Sequence, residues 1–134
     1  MSKTYHGSCI CGTLKYETPI DFSQGTGKCN CTICGKLRYW GIKVNPKKFK
    51  LLTSWDDISD YTLRTDKVHN YFCKKCGVHA FHGGDVPEVG GEFVTVNIAC
   101  LDDVDEEEKA GFAVRYADGK GDNWWNEPKV TKHL

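Results

Sequence analysis

The sequence has no surplus of charge and no basic block: 18 Lys and Arg stand against 18 Asp and Glu. A nucleic-acid binder gathers positive charge on one face or in one run, so no nucleic-acid partner is expected. No apolar run approaches the roughly 20 residues that span a bilayer, and residues 1–7 lack the apolar stretch of a secretion signal. A soluble, cytoplasmic protein without a membrane partner is the expectation. Nothing reads as a domain linker, and no internal repeat is found. The 134 residues are therefore expected to form one domain, 1–134, with a modest core that benefits from cross-linking.

Cysteine, by contrast, is abundant, with eight in the chain. An even count suits disulfides in a secreted domain, but without a secretion signal reduced thiols that bind metal are the better reading. Cys9-Ile10-Cys11-Gly12, Cys29-Asn30-Cys31-Thr32-Ile33-Cys34-Gly35 and Cys73-Lys74-Lys75-Cys76-Gly77 each place neighbouring sulfurs in one tight turn. That spacing hinders a disulfide within the pair and favours chelation. In such a knuckle the backbone N–H groups turn toward the sulfurs, and a residue free to take positive φ follows the last cysteine. Gly12, Gly35 and Gly77 stand there. Thiolate-rich sets favour zinc, although the same ligands also hold iron.

Short β-like runs separated by turns dominate the remainder. Residues 13–18, 49–52 and 60–64 read as strands, 69–72 and 80–81 flank the third knuckle, and 91–100 is the longest β-branched and aromatic run. Residues 32–37 and the acidic stretch 103–108 read as short helical turns. Loops are expected at 19–27, 45–46, 83–91 and 118–122, where Gly, Pro, Asn and Asp gather. The fold class is mainly β with small helical pieces, and the acidic run 102–108 is read as a solvated turn.

A structural zinc takes four protein ligands, whereas a catalytic zinc takes three and keeps a position open. Seven of the thiols divide naturally as four plus three. Cys9, Cys11, Cys73 and Cys76 would form a closed site that staples the N-terminal segment to the middle of the chain. Cys29, Cys31 and Cys34 come from one loop and would leave the fourth corner free. Other pairings of the clusters satisfy the same count, and Cys100 as a further ligand would close both sites. Alternation along 96–100 instead puts Cys100 on one face with Val96 and Ile98, as a buried apolar thiol.

The ordered motifs Gly7-Ser8-Cys9-Ile10-Cys11-Gly12, Cys29-Asn30-Cys31-Thr32-Ile33-Cys34 and Phe72-Cys73-Lys74-Lys75-Cys76-Gly77 resemble the glutathione-dependent formaldehyde-activating enzyme family, which also includes centromere protein V. The likeness runs from about residue 5 to 134 and takes in 96–103 and the segment from Asp118-Gly119 to Trp124-Trp125. It implies a small, zinc-stapled, tent-like β fold with a structural zinc on Cys9, Cys11, Cys73 and Cys76. It further implies a second zinc on Cys29, Cys31 and Cys34, the set that would carry catalysis. The activity implied is that of a carbon–sulfur lyase joining glutathione to formaldehyde to give S-(hydroxymethyl)glutathione. Because a substrate does not travel with a fold, the partner is a small thiol or thiol adduct, with glutathione as the family's example.

The implied chemistry is physically sound. An open zinc with three thiolates would take a substrate thiolate as its fourth ligand, lower its pKa and hold it beside an electrophilic carbonyl. Lys28, Lys36 and Arg38 bracket the cluster and are candidates to meet the carboxylates of a glutathione-like ligand, against the plain reading as solvated cations. His79 and His82, on either side of Phe81, are candidates for acid–base work or for the fourth ligand, against an ordinary structural role. Trp124 and Trp125 are expected to pack as core or lid. The competing reading is a non-catalytic zinc scaffold for a protein partner.

Overall fold

The computed structural model describes residues 2–62 and 67–134. Strands β1 (Lys3–Ser8) and β2 (Lys15–Ile20) form an antiparallel hairpin, from Lys3 opposite Ile20 to Ser8 opposite Lys15, with the first cysteine knuckle at its tip. The two-residue β5 (Lys50–Leu51) pairs with β2 and completes a three-stranded sheet. Alternation along β2 turns Tyr16, Thr18 and Ile20 inward, all buried. Gly7 on β1 lies against the Tyr16 ring so closely that a Cβ would fall 2.3 Å from it. Only glycine lets that ring stay in the core.

The second sheet has seven strands in the order β10-β3-β4-β9-β8-β7-β6. These are β3 (Thr26–Cys29), β4 (Trp40–Val44), β6 (Ile58–Tyr61), β7 (Val68–Cys73), β8 (Phe81–Val86), β9 (Gly91–Asn97) and β10 (Val114–Ala117). Neighbours are antiparallel except β10, which runs parallel to β3 and brings Ala117 beside Cys29. One buried cluster joins the sheets: Tyr5, Leu14, Tyr16 and Ile20 from the smaller side meet Ile42, Phe81, Val96, Ile98 and Leu101. Phe81 sits at the junction, its ring in contact with those of Tyr16, Phe49, Trp55 and Tyr71. Helix α1 (Thr32–Leu37) follows β3 directly, as expected. Helix α2 (Glu106–Ala110) starts where the Asp105 carboxylate accepts from the Glu108 N–H at 2.8 Å. Among the described residues no helix is long and apolar enough to cross a membrane.

The mainly β expectation holds, with local differences. Residues 83–91, read as a loop, begin as strand: β8 runs to Val86. Gly83 and Gly84 serve close approach there, since a Cβ would fall 2.8 Å from the Phe93 carbonyl oxygen or 2.0 Å from that of Lys67. The run 91–100 leaves the sheet at Asn97, whose side chain accepts from the Ala99 N–H at 3.2 Å and starts a 3-10 turn, Ile98–Cys100. Of the alternating run 60–64, Leu63 and Arg64 lie outside the described residues.

Candidate metal centres

Cys9 and Cys11 sit on the turn after β1, while Cys73 ends β7 and Cys76 sits on the turn that follows it. The two turns have one construction. The Cys9 N–H donates to the Leu14 carbonyl at 3.1 Å, and the Cys73 N–H to that of Val78 at the same distance. Gly12 and Gly77 take φ of 80° and 78°, the left-handed conformation that a knuckle needs after its last cysteine. Backbone N–H groups then face sulfur: that of Leu14 lies 3.3 Å from Cys9 Sγ and that of Lys75 lies 3.4 Å from Cys73 Sγ.

All four sulfurs lie within 4.8 Å of one another, with Cys9–Cys11 and Cys11–Cys73 at 3.6 Å. A tetrahedral ion with Zn–S bonds of about 2.3 Å places its sulfurs about 3.8 Å apart, whereas a disulfide needs about 2.05 Å. The donor set and its spacing therefore fit a tetrahedral, thiophilic divalent ion. Backbone N–H groups of Cys11 and Val78 hold the Cys76 thiol down at about 6, while burial pushes Cys9 up to about 11.

The second group has a different origin. Cys29 ends β3, Cys31 is the residue before α1, and Cys34 lies in the first turn of that helix. The strand-to-helix corner gathers the three sulfurs within 4.8 Å, and the Cys31 N–H points at Cys29 Sγ from 3.3 Å. Hydrogen bonds with Cys29 and Cys34 hold the Cys31 thiol down at about 2, while those with Cys29 and Cys31 push Cys34 up. No His, Asp, Glu or further Cys joins this group among the described residues. Asn30 fastens the corner to the chain after β10: its amide donates to Asp118 Oδ1 at 2.9 Å and its oxygen accepts from the Lys120 N–H at 2.9 Å.

These two centres are the setting in which likeness to known proteins acquires meaning. A profile of the glutathione-dependent formaldehyde-activating enzyme family matches residues 4–117. The chain belongs to that family. A crystal structure of a Rhodobacter sphaeroides protein shares its fold, with a TM-score of 0.71 at 19% identity, covering 84% of this chain and 99% of that one. Family membership and the two cysteine groups together mark both centres as places where metal could bind.

Other candidates from the sequence fall elsewhere. Gly35 lies inside α1, and the left-handed residue after that cluster is Arg38, with φ of 52°. A helix carrying its last cysteine in the first turn needs its glycine-like conformation only at the helix end. Lys28 alternates away from Cys29, stands 5.5 Å over the Trp40 ring and donates to the Leu134 carbonyl at 3.3 Å. Arg38 donates to the His133 carbonyl at 3.0 Å, and Lys36 is exposed. Two of the three cations thus hold the chain's own C-terminal segment.

Cys100 joins neither group among the described residues. It packs half-buried against the core from the 3-10 turn, not from a strand face, and burial pushes its thiol up to about 11. Burial also lowers His79, whose Nδ1 is enclosed without a hydrogen-bond partner among the described residues, and holds His82 down at about 4 beside the Tyr39 ring. Neither tryptophan packs into the core: both are exposed, and Trp124 stands at the second centre. The contact between Trp124 and that centre passes through Gly119, which motif spacing did not single out.

Proposed function

We propose that this protein is a zinc-dependent carbon–sulfur lyase handling a small thiol or thiol adduct. In this reading Cys9, Cys11, Cys73 and Cys76 close one zinc in for folding, and Cys29, Cys31 and Cys34 hold the zinc that serves chemistry. The observation that carries it is the three-sulfur group at the β3–α1 corner, converging without a fourth ligand among the described residues. One tetrahedral corner is then left for a thiolate brought by the substrate. Held by Cys29, Cys31 and Cys34, zinc would lower the substrate thiol's pKa and fix its sulfur.

The protein's own part is to arrange donors and charge. The Cys31 N–H supports negative charge on Cys29 and so readies that sulfur as a thiolate donor for metal capture. His82 is uncharged near neutrality, so it adds no cation beside the thiolates. With glutathione and formaldehyde, the sulfur lone pair forms the new C–S bond as the carbonyl π bond breaks, and the thiol proton ends on the oxygen. The product is S-(hydroxymethyl)glutathione, and the reverse steps cleave it. Thiolates of this kind fit a reducing compartment such as the cytoplasm.

Carbon-13 formaldehyde and glutathione, followed by NMR with catalytic amounts of protein, test the reading. Faster formation or exchange of the hydroxymethyl adduct, lost in Cys31→Ser, supports it. Equal rates with and without the wild-type protein, for glutathione and for other small thiols, would remove the lyase assignment.

A further inference from the structure

The parallel pairing of β10 with β3 delivers the chain beyond Ala117 directly to the second centre. There it forms a tight turn: the Asn123 N–H donates to the Asp118 carbonyl at 2.8 Å, and the Asp122 N–H to that of Gly119 at 3.2 Å. Asn30, between Cys29 and Cys31, holds this turn through Asp118 and Lys120. A Cβ on Gly119 would fall 2.6 Å from Cys29 Sγ and 2.5 Å from the Trp124 ring. The sulfur and the indole edge are therefore neighbours across one glycine. Trp124 is fixed by its Nε1–H donating to Asp122 Oδ1 at 3.1 Å, yet it remains 49% exposed. An anchored indole with a free surface beside a thiolate group has more to offer a ligand than the core.

Taking the three-cysteine group as the thiol site proposed above, we infer that Trp124 is a specificity-determining residue. Its indole is the wall against which the carbon skeleton of a bound thiol packs. The site therefore favours thiols with an aromatic or apolar group close to sulfur over small hydrophilic ones. Gly119 makes this possible, because any side chain there would separate the indole from the sulfur.

The test uses the full chain loaded with Co²⁺ and two thiols of similar acidity, benzyl mercaptan and 2-mercaptoethanol, titrated while thiolate-to-cobalt absorption is recorded. Wild type should prefer benzyl mercaptan, and Trp124→Ala and Trp124→Gln should each cut that preference by about 3- to 10-fold, the worth of one aromatic contact. Their affinity for 2-mercaptoethanol should stay as in wild type, and Trp124→Phe should keep most of the preference. Circular dichroism shows which variants fold, and either Trp124→Ala or Trp124→Gln suffices. Equal affinity of wild type for the two thiols, or an undiminished preference in a folded variant, overturns the inference while leaving the open site standing. A cobalt spectrum that responds to neither thiol overturns the open site itself, and the wall with it.

Discussion

Cys11 and Cys73 stand 62 positions apart in the chain and bring their sulfurs to within 3.6 Å. A metal held between them would close a long loop and join the tip of the β1–β2 hairpin to the end of β7. Because the unfolded chain has no such preformed site, the binding energy of that metal would be folding energy.

Cys73→Ser or Cys76→Ser should therefore unfold the protein or destabilise it by several kcal/mol, on the order expected for loss of a structural ligand. Thermal melting with metal analysis of the same samples checks this. Variants that melt like wild type with full zinc content would take these residues out of the structural site.

Cys31→Ser or Cys34→Ser should leave the fold largely intact, because the three-cysteine group spans one short strand-to-helix corner. Occupancy of one zinc should fall and thiol binding should disappear. Circular dichroism, metal analysis and calorimetric titration with glutathione provide the comparison. A folded variant that keeps both metals and binds thiols as before would contradict the role given to this corner.

Gly7→Ala sets two effects against each other. Replacing glycine in a strand gains roughly 0.5–1 kcal/mol from the unfolded state. Overpacking costs roughly 1–3 kcal/mol, and the new methyl would fall 2.3 Å from the buried Tyr16 ring. The clash should win, with a net loss of about 1–2 kcal/mol in denaturant unfolding. Tyr16→Phe in the same background should give only partial relief, since the ring carbon Cζ meets the methyl as closely as the hydroxyl oxygen does.

The legibility of this molecule follows from how local each feature is. Cysteine spacing announces the knuckles because chelation and the turn that permits it lie within a few residues, as at Cys73 to Gly77. Helix α1 was legible for the same reason. The fate of Cys100 was not, because the Asn97 side chain ends β9 by a hydrogen bond that strand periodicity does not register. Gly83 and Gly84 resemble turn residues until the neighbouring strands that crowd them are known. The β3–β10 pairing joins residues 26–29 to 114–117, and no short-range pattern foretold it. Lys28 and Arg38, close to the cysteines in sequence, read as solvated cations or as candidates for a ligand's carboxylates. Strand alternation and the fold of the C-terminal segment give them other partners.

His6 links β1 to the segment after Cys100: its Nδ1 lies 2.9 Å from Asp103 and its Nε2 3.4 Å from Glu17. The hydrogen bond to Asp103 is the main cause of a raised His6 pKa. The folded state then binds this proton more tightly than the unfolded one. The clasp contributes fully below the unfolded value of about 6.5 and is lost as pH rises through the folded one. NMR titration of the His6 ring should give a midpoint above the ordinary histidine value, brought back toward it by Asp103→Asn. An unchanged midpoint in that variant would dismiss the clasp.

Zinc K-edge X-ray absorption on the purified protein, with metal quantified per chain, reads the ligands at both centres together. Two zincs should share the seven sulfurs of the two groups, with a lighter ligand making up the shortfall. Added glutathione should replace that ligand and bring the average to four sulfurs per zinc. A single zinc per chain, or two all-sulfur zincs whose spectrum does not move when thiol is added, would contradict it.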